Sequence, residues 1–321
     1  MSPSNTSPLL SICIPTWNRA ESLQKTIDSL ASVLSDLPEG SIELCLSDNA
    51  SSDETSIIFL EAENLRIPVR TARLTKNVAF SGNYWSVASL ATGRFTWITG
   101  DDDAFDSQGL AKLVRILAET SDDLILINSS PWKNEVKSLS DRVVNGLEDY
   151  FSTFGIFHAS FIGNSVFSSA ALQPFFGHSA TLESAYPHMV PVFGIASSGR
   201  TRFVNIRPVI VNDSRRSWRA RQPLLTAIDM ARLATDFAFV NSSCSRATCA
   251  RIYLILIRSL PRAVFRSSRG TIIIDNANPY QSLTAKNLIG CYRALPLVGP
   301  AACLIALLSR ISAKLLRRSS H

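Results

Sequence analysis

LLSICIPTWNRAESLQKTIDSL, residues 9–30, sets two structural periods side by side. Leu9–Pro15 is a short apolar run closed by proline, and its length and branched side chains predict a buried strand. After the polar turn PTWNR the period changes. Leu23, Ile27, Leu30, Leu34 and Leu37 recur three or four residues apart, which predicts a helix with one buried face. Asn18 with Glu21 has the spacing of a capping box, and Pro38 and Gly40 end the helix. A buried strand running straight into an amphipathic helix is the repeating step of an α/β fold.

The step repeats on both sides of residue 50. Ile42–Ser47 (IELCLS) is a second strand ending on Asp48-Asn49, followed by a helix from about Ser52 to Glu63. Val69–Leu74 is a third, weakly alternating strand. Asn77–Gly82 is expected as loop and Asn83–Ala91 as helix, stopped by Gly93. Phe95–Thr99 (FTWIT) is the next strand, Ser107–Thr120 the next helix and Leu124–Asn128 (LILIN) the next strand. Near-continuously apolar strands alternating with helices predict a mostly parallel sheet covered on both faces. Ligands in such folds bind beyond the carboxyl ends of the strands. Three polar clusters fall there: Pro15–Arg19, Asp48–Asp53 and Asp101–Asp103.

Charge divides the chain. Up to Tyr150 there are 12 Lys and Arg against 21 Asp and Glu, a balance of −9; from Phe151 onward there are 20 against 5, a balance of +15. The basic half suits an anionic partner or matches the acidic half internally. Nucleic acid is disfavoured, because the basic residues lack interleaved stacking aromatics and no recognition motif is present. The six cysteines form no CxxC pair, Cys13 and Cys45 fit as small buried hydrophobes, and the N-terminus lacks the pattern of a signal peptide. A reducing, cytosolic setting is expected.

The triplet Asp101-Asp102-Asp103 directly follows the FTWIT strand. Adjacent carboxylates repel, so a cation that offsets them is the natural occupant, and Mg²⁺ or Mn²⁺ shares one or two carboxylates with substrate phosphates. A solvated acidic turn capping the next helix is the alternative. Asp48, ending the second strand, suits a base or ribose hydroxyl, or else a simple turn. Arg19 opens the first helix, where a guanidinium and helix amides face phosphate, or it is an ordinary surface arginine.

SICIPTWNRAESLQKTIDSL, LCLSDNASSDET and NVAFSGNYWSVASLATGRFTWITGDDD, in this order and spacing, resemble the nucleotide-binding half of family 2 glycosyltransferases. The resemblance covers roughly residues 9–130, and its nearest flavour is the bacterial group that builds O-antigen and other surface polysaccharides. It implies a GT-A fold, with a Rossmann-like nucleotide-binding half on a mixed, mostly parallel sheet, followed by a helical, basic C-terminal region. The implied divisions are 1–130 for the donor half, 131–222 for the acceptor half and 223–321 for the C-terminal region. The implied chemistry is sugar transfer from a nucleoside diphosphate sugar to a lipid-linked or glycan acceptor, with inversion. Pro15, Thr16, Asn18, Arg19, Asp48, Asn77, Asp101 and Asp102 would bind the nucleotide-sugar, and Asp103 would ligate Mg²⁺ or Mn²⁺.

The family's inverting members place a Glu-Asp pair well after the metal motif. Here the matching stretch is TLESAYPH, residues 181–188, with Ser184 in the Asp position. Glu183 is the candidate general base and His188 the second candidate, as base or extra metal ligand. Loss of the pair keeps open a non-catalytic, membrane-associated partner of another transferase. NDSRRSWRARQ (212–222) suits a loop closing over a diphosphate. Leu295–Leu308 is too short for a secure span and is broken by Pro296 and Pro300. With Arg310, Lys314, Arg317 and Arg318 behind it and an arginine stripe at 251–266, a re-entrant or in-plane helix on the inner membrane face is expected, a pair of core helices being the alternative.

Overall fold

The computed structural model describes residues 7–129, 138–156, 158–177 and 186–211, with 244, 245, 247, 248 and 252. The chain divides into two compact units, Met1–Ser214 and Arg215–His321, and the elements below belong to the first. They are β1 (Leu10–Thr16), α1 (Ala20–Val33), β2 (Ile42–Asp48), α2 (Thr55–Ala62), β3 (Val69–Arg73), α3 (Ala79–Ala88), β4 (Phe95–Ile98), β5 (Ala104–Phe105), α4 (Ser107–Glu119) and β6 (Leu124–Leu126). There follow β7 (Arg142–Val144), α5 (Gly146–Phe154), β8 (Ser165–Ser168), α6 (Ser169–Leu172), α7 (Met189–Ser198), β9 (Thr201–Phe203) and β10 (Val209–Ile210).

Eight strands form one sheet in the order β3-β2-β1-β4-β8-β6-β9-β7, and β5 pairs with β10 separately. β1 runs parallel to both β2 and β4, with Cys13 opposite Cys45 and Ile98. β8 enters antiparallel between β4 and β6, so the two expected halves, 1–130 and 131–222, share one sheet. β7, β8 and β9 were not legible in the sequence, because three or four residues are too few to show a period.

The period-2 alternation of β1 sorts its side chains between two layers. Leu10, Ile12 and Ile14 join Leu23, Ile27 and Leu30 of α1 and Leu110, Leu113 and Leu117 of α4 in one buried cluster. Each such side chain contributes about 1.5–3 kcal/mol by leaving water. The opposite face of the sheet meets α3, where Ser47 Oγ donates to Asn83 Oδ1 at 2.6 Å. Pro15 is tolerated in a central strand because the pairing with β4 ends at Cys13, two residues earlier.

Two helix starts differ from expectation. The capping box at Asn18 does not form: the cap position is Arg19, and the Asp53 carboxylate accepts from Ala20 N at 3.0 Å instead. Asn18 has φ 51°, which swings its side chain away from the helix. α3 begins at Ala79, inside the expected loop, and Ala79 itself has φ 63°. Asn77 and Asn49 over-determine that turn, accepting from Ala79 N and Val78 N at 2.9 Å each.

A left-handed alanine costs roughly 1–2 kcal/mol that glycine avoids. Ala79→Gly is therefore expected to be neutral or stabilising, the relief exceeding the ~0.4–1 kcal/mol by which glycine favours the unfolded chain. Ala88→Gly, within the same helix, should lose about 1 kcal/mol. Urea denaturation of the two variants decides the matter, and equal destabilisation would refute the strain assignment.

Candidate active site

The parallel strands bring Thr16, Asp48, Arg73 and Thr99 to one carboxyl edge. Thr16 lies opposite Asp48, and Asp48 opposite Arg73. The loops leaving β1 and β2 are then tied together. Asn18 N donates to Ser51 Oγ at 2.8 Å, and Asn18 Oδ1 accepts from Ser52 N at 2.8 Å. Asparagine tolerates the positive φ this needs better than most residues do.

Asp48 is fully buried. Its Oδ1 accepts from Ser51 N at 2.9 Å, while Oδ2 lies 3.3 Å from Arg73 Nε without making a hydrogen bond. A buried carboxylate oxygen with only an ion-pair contact retains acceptor capacity for a ligand's N–H or O–H. Asn77 Oδ1 accepts from Asn49 Nδ2 at 3.1 Å, so it lines this edge through the Asn49 amide.

Asp101 is the hub of the opposite cluster. Its Oδ2 accepts from Thr16 Oγ1 at 2.7 Å and its Oδ1 from Arg19 Nη1 at 2.6 Å. The same Arg19 nitrogen reaches Asp102 Oδ2 at 3.0 Å. Burial pushes the Asp101 carboxyl above its usual range, and Arg19 and the Thr16 hydroxyl recover only part of that. Arg19 shows the reverse balance: burial works against its charge, but Asp101 and then Asp102 outweigh it and hold the proton more firmly.

Asp103 is also buried. A Cβ on Gly100 would stand 2.9 Å from Asp102 Oδ1 and 3.0 Å from Asp103 Oδ2, so both carboxylates converge over a residue without a side chain. That arrangement fits Mg²⁺ or Mn²⁺, which takes one or two carboxylates and completes its shell from phosphates and water. Among the described residues no group of three His, Cys, Asp or Glu forms a full ligand set by itself.

His188 precedes the first residue of α7 without a side-chain capping bond, buried, with its ring 6.2 Å from Tyr84 and 6.0 Å from Tyr186. Burial lowers its pKa to about 4, against an opposing pull from the backbone at Ala159 and Ser160. The imidazole is therefore neutral at pH 7. Glu183, the basic loop 212–222, Leu295–Leu308 and the arginines of 251–266 lie outside the described residues. Among the described residues no helix is long and apolar enough to cross a membrane.

Local sequence gave no sign of two positioning residues. Asn49 binds Val78 N, Asn77 and Ala79 O, and Asn83 Nδ2 donates to the Thr16 and Ser47 carbonyls at 3.1 Å each. Both lie in motifs already noted, SDNASSD and FSGNYW, but their partners are 28 to 67 positions away.

Glycosyl transferase family 2 matches residues 11–168. Abequosyltransferase RfbV of Salmonella typhimurium is 29% identical over 265 residues, 74% of this chain and 78% of that protein. The crystal structure of S. aureus TarS superposes with a TM-score of 0.60 at 16% identity, over 94% of this chain and 53% of TarS, so the chain spans about half of TarS. A mannosyltransferase from Pyrobaculum calidifontis, PcManGT, solved with GDP-Man and Mn²⁺, gives 0.55 at 16% identity over 96% of this chain and 81% of its own. The two structures bear out the GT-A fold, and the family match spans the three polar turns at the carboxyl edge described above. Residues 11–168 match the glycosyltransferase family 2 domain, and the chain is a glycosyltransferase resembling the O-antigen sugar transferases.

Proposed function

We propose that the enzyme is metal-dependent and moves a hexosyl or deoxyhexosyl group from a nucleoside diphosphate sugar to a lipid-linked glycan, with inversion, in bacterial surface-polysaccharide synthesis. The observation that carries this is the junction of Asp101 with Thr16 and Arg19 at the carboxyl edge, beside the convergent Asp102 and Asp103. Asp48 takes the base, Asp101 the ribose or diphosphate side, and Asp103 with Asp102 the cation. Bound there, Mg²⁺ or Mn²⁺ would supply positive charge to a departing diphosphate in place of a proton donor.

Glu183 is the base that accepts the acceptor hydroxyl's proton. His188 is the weaker choice, since an imidazole with a pKa near 4 takes protons poorly at neutral pH. The similarity to an abequosyltransferase and to a structure holding GDP-Man and Mn²⁺ supports the donor class and the metal. The basic composition of the C-terminal region supports a location on the inner membrane face, and failure of the full chain to float with anionic vesicles would remove that part.

A nucleotide-sugar panel, with an abequosyl donor included, tests the rest. Binding and slow donor hydrolysis are expected with Mg²⁺ or Mn²⁺, and a chelator should abolish the hydrolysis. No binding of any nucleoside diphosphate sugar with metal present would sink the proposal.

A further inference from the structure

Arg19 holds a position that suits neither its charge nor its helix. It stands at the N-terminal end of α1, where the helix dipole is positive and favours anions. What retains it there is the pair of carboxylates, at 2.6 Å from Asp101 and 3.0 Å from Asp102. Asp101 is thereby closed, with Thr16 on its other oxygen. The Arg19 side chain keeps 25% of its surface open to solvent, so the bond to Asp102 is made at the mouth of the site.

We infer that Arg19 is a stand-in cation that holds the aspartate cluster in the ligand-free enzyme and turns to the donor diphosphate when metal and nucleotide arrive together. This rests on the metal–diphosphate reading of the same site. The cluster carries three carboxylates, and Arg19 offsets one of those charges. A divalent ion arriving alone meets the guanidinium on Asp102 and must share that carboxylate with it. A nucleoside diphosphate brings anionic oxygens to the helix end, which give the guanidinium a new, bidentate partner and release Asp102 to the metal. Metal and nucleotide therefore strengthen each other, and by linkage each does so by the same factor.

The test reads metal uptake without turnover. Free Mn²⁺ is followed by electron paramagnetic resonance as the full-length enzyme is titrated, alone and with UDP, GDP, CDP or TDP. For the wild type, Mn²⁺ alone is held weakly, and the best nucleotide tightens it by about tenfold or more, within the usual range of coupling between sites. Arg19→Ala should bind Mn²⁺ alone about tenfold more tightly than the wild type and show a smaller gain on adding nucleotide. Arg19→Lys keeps the charge and should retain weak binding of metal alone.

Mn²⁺ should also raise the melting temperature of Arg19→Ala more than that of the wild type, because only the variant's carboxylates lack their counter-charge. If the alanine variant does not fold, Arg19→Gln, of similar bulk and uncharged, gives the same readout. Nucleotide-dependent Mn²⁺ uptake in the wild type, with metal-alone binding no tighter in the uncharged variant, overturns the role of Arg19 and leaves the metal site standing. No Mn²⁺ uptake by either protein with any nucleotide overturns both.

Discussion

Asp101→Asn is expected to lower kcat/KM for sugar transfer by about 10²–10³-fold, a loss of roughly 2.7–4 kcal/mol of transition-state stabilisation, while the folded state stays nearly as stable. The asparagine has the carboxylate's shape. Its oxygen can accept from Arg19, and the Thr16 hydroxyl can turn to accept from its amide. What disappears is the negative charge that holds the guanidinium and that, in the proposed function, shapes the field in which the diphosphate departs. Burial already lifts the Asp101 carboxyl above the ordinary carboxylate range, so ionising it opposes folding. Removing that charge relieves the cost of burying it and weakens the Arg19 pairing, two changes of opposite sign. The pH dependence follows: a raised folded pKa means the wild type gains stability as pH falls through that pKa toward the unfolded value. The asparagine variant should lack this acid-side gain. Steady-state kinetics with matched urea curves at neutral and acid pH measure both. A variant that transfers sugar within about fivefold of the wild type would remove Asp101 from the donor site, since even one well-placed donor or charge is worth more.

The centre of the sheet was the most legible part of this chain. β1, β2 and β4 are buried throughout, so each had to be written as an apolar run, and the turns after them stood out as polar. β3 is an edge strand in which no residue is fully buried, and its signal was correspondingly weak. The site was legible as a set of turns, not as a set of contacts. Thr16 and Asp101 are 85 positions apart and Arg19 and Asp101 82, and no local pattern reports such a pairing. The same limit hid Asn49 and Asn83, whose importance lies in the backbone groups they reach across the edge. The beginning of α3 was misplaced for a different reason. Asn77 and Asn49 hold an alanine in a conformation that sequence rules assign to glycine.

Glu43→Ala is expected to cost about 3–5 kcal/mol of folding stability, because several enclosed donors lose their acceptor at roughly 1–3 kcal/mol each. Glu43 lies in the IELCLS strand, where it passed as an ordinary strand residue, yet it is completely buried at the edge of the sheet opposite the active site. Its carboxylate accepts from Ser11 Oγ at 2.6 Å, from Thr92 N at 2.6 Å and Oγ1 at 2.9 Å, from Gly93 N at 3.2 Å and from Arg70 Nε at 3.0 Å. One side chain thus ties β1, β2, β3 and the loop entering β4. Gly93 is part of the design, because a Cβ there would stand 2.7 Å from Ser11 Oγ and 2.8 Å from Ser11 N. Alanine at 43 would leave these donors facing a dry cavity, whereas glutamine keeps an acceptor and should cost about 1.5–3 kcal/mol. Burial alone would raise the Glu43 pKa, but Ser11, Thr92 and Arg70 together outweigh it and hold the carboxyl below its ordinary range. The sign is then fixed: this stability is fully present above the unfolded pKa and is lost as pH falls through the lower folded one. Glu43→Gln should accordingly lose less, relative to the wild type, at pH 3 than at pH 7. Denaturant titrations at the two pH values provide the measurement. An alanine variant within 1 kcal/mol of the wild type at pH 7, below the cost of a single buried unsatisfied donor, would show that water or a neighbouring side chain replaces the carboxylate.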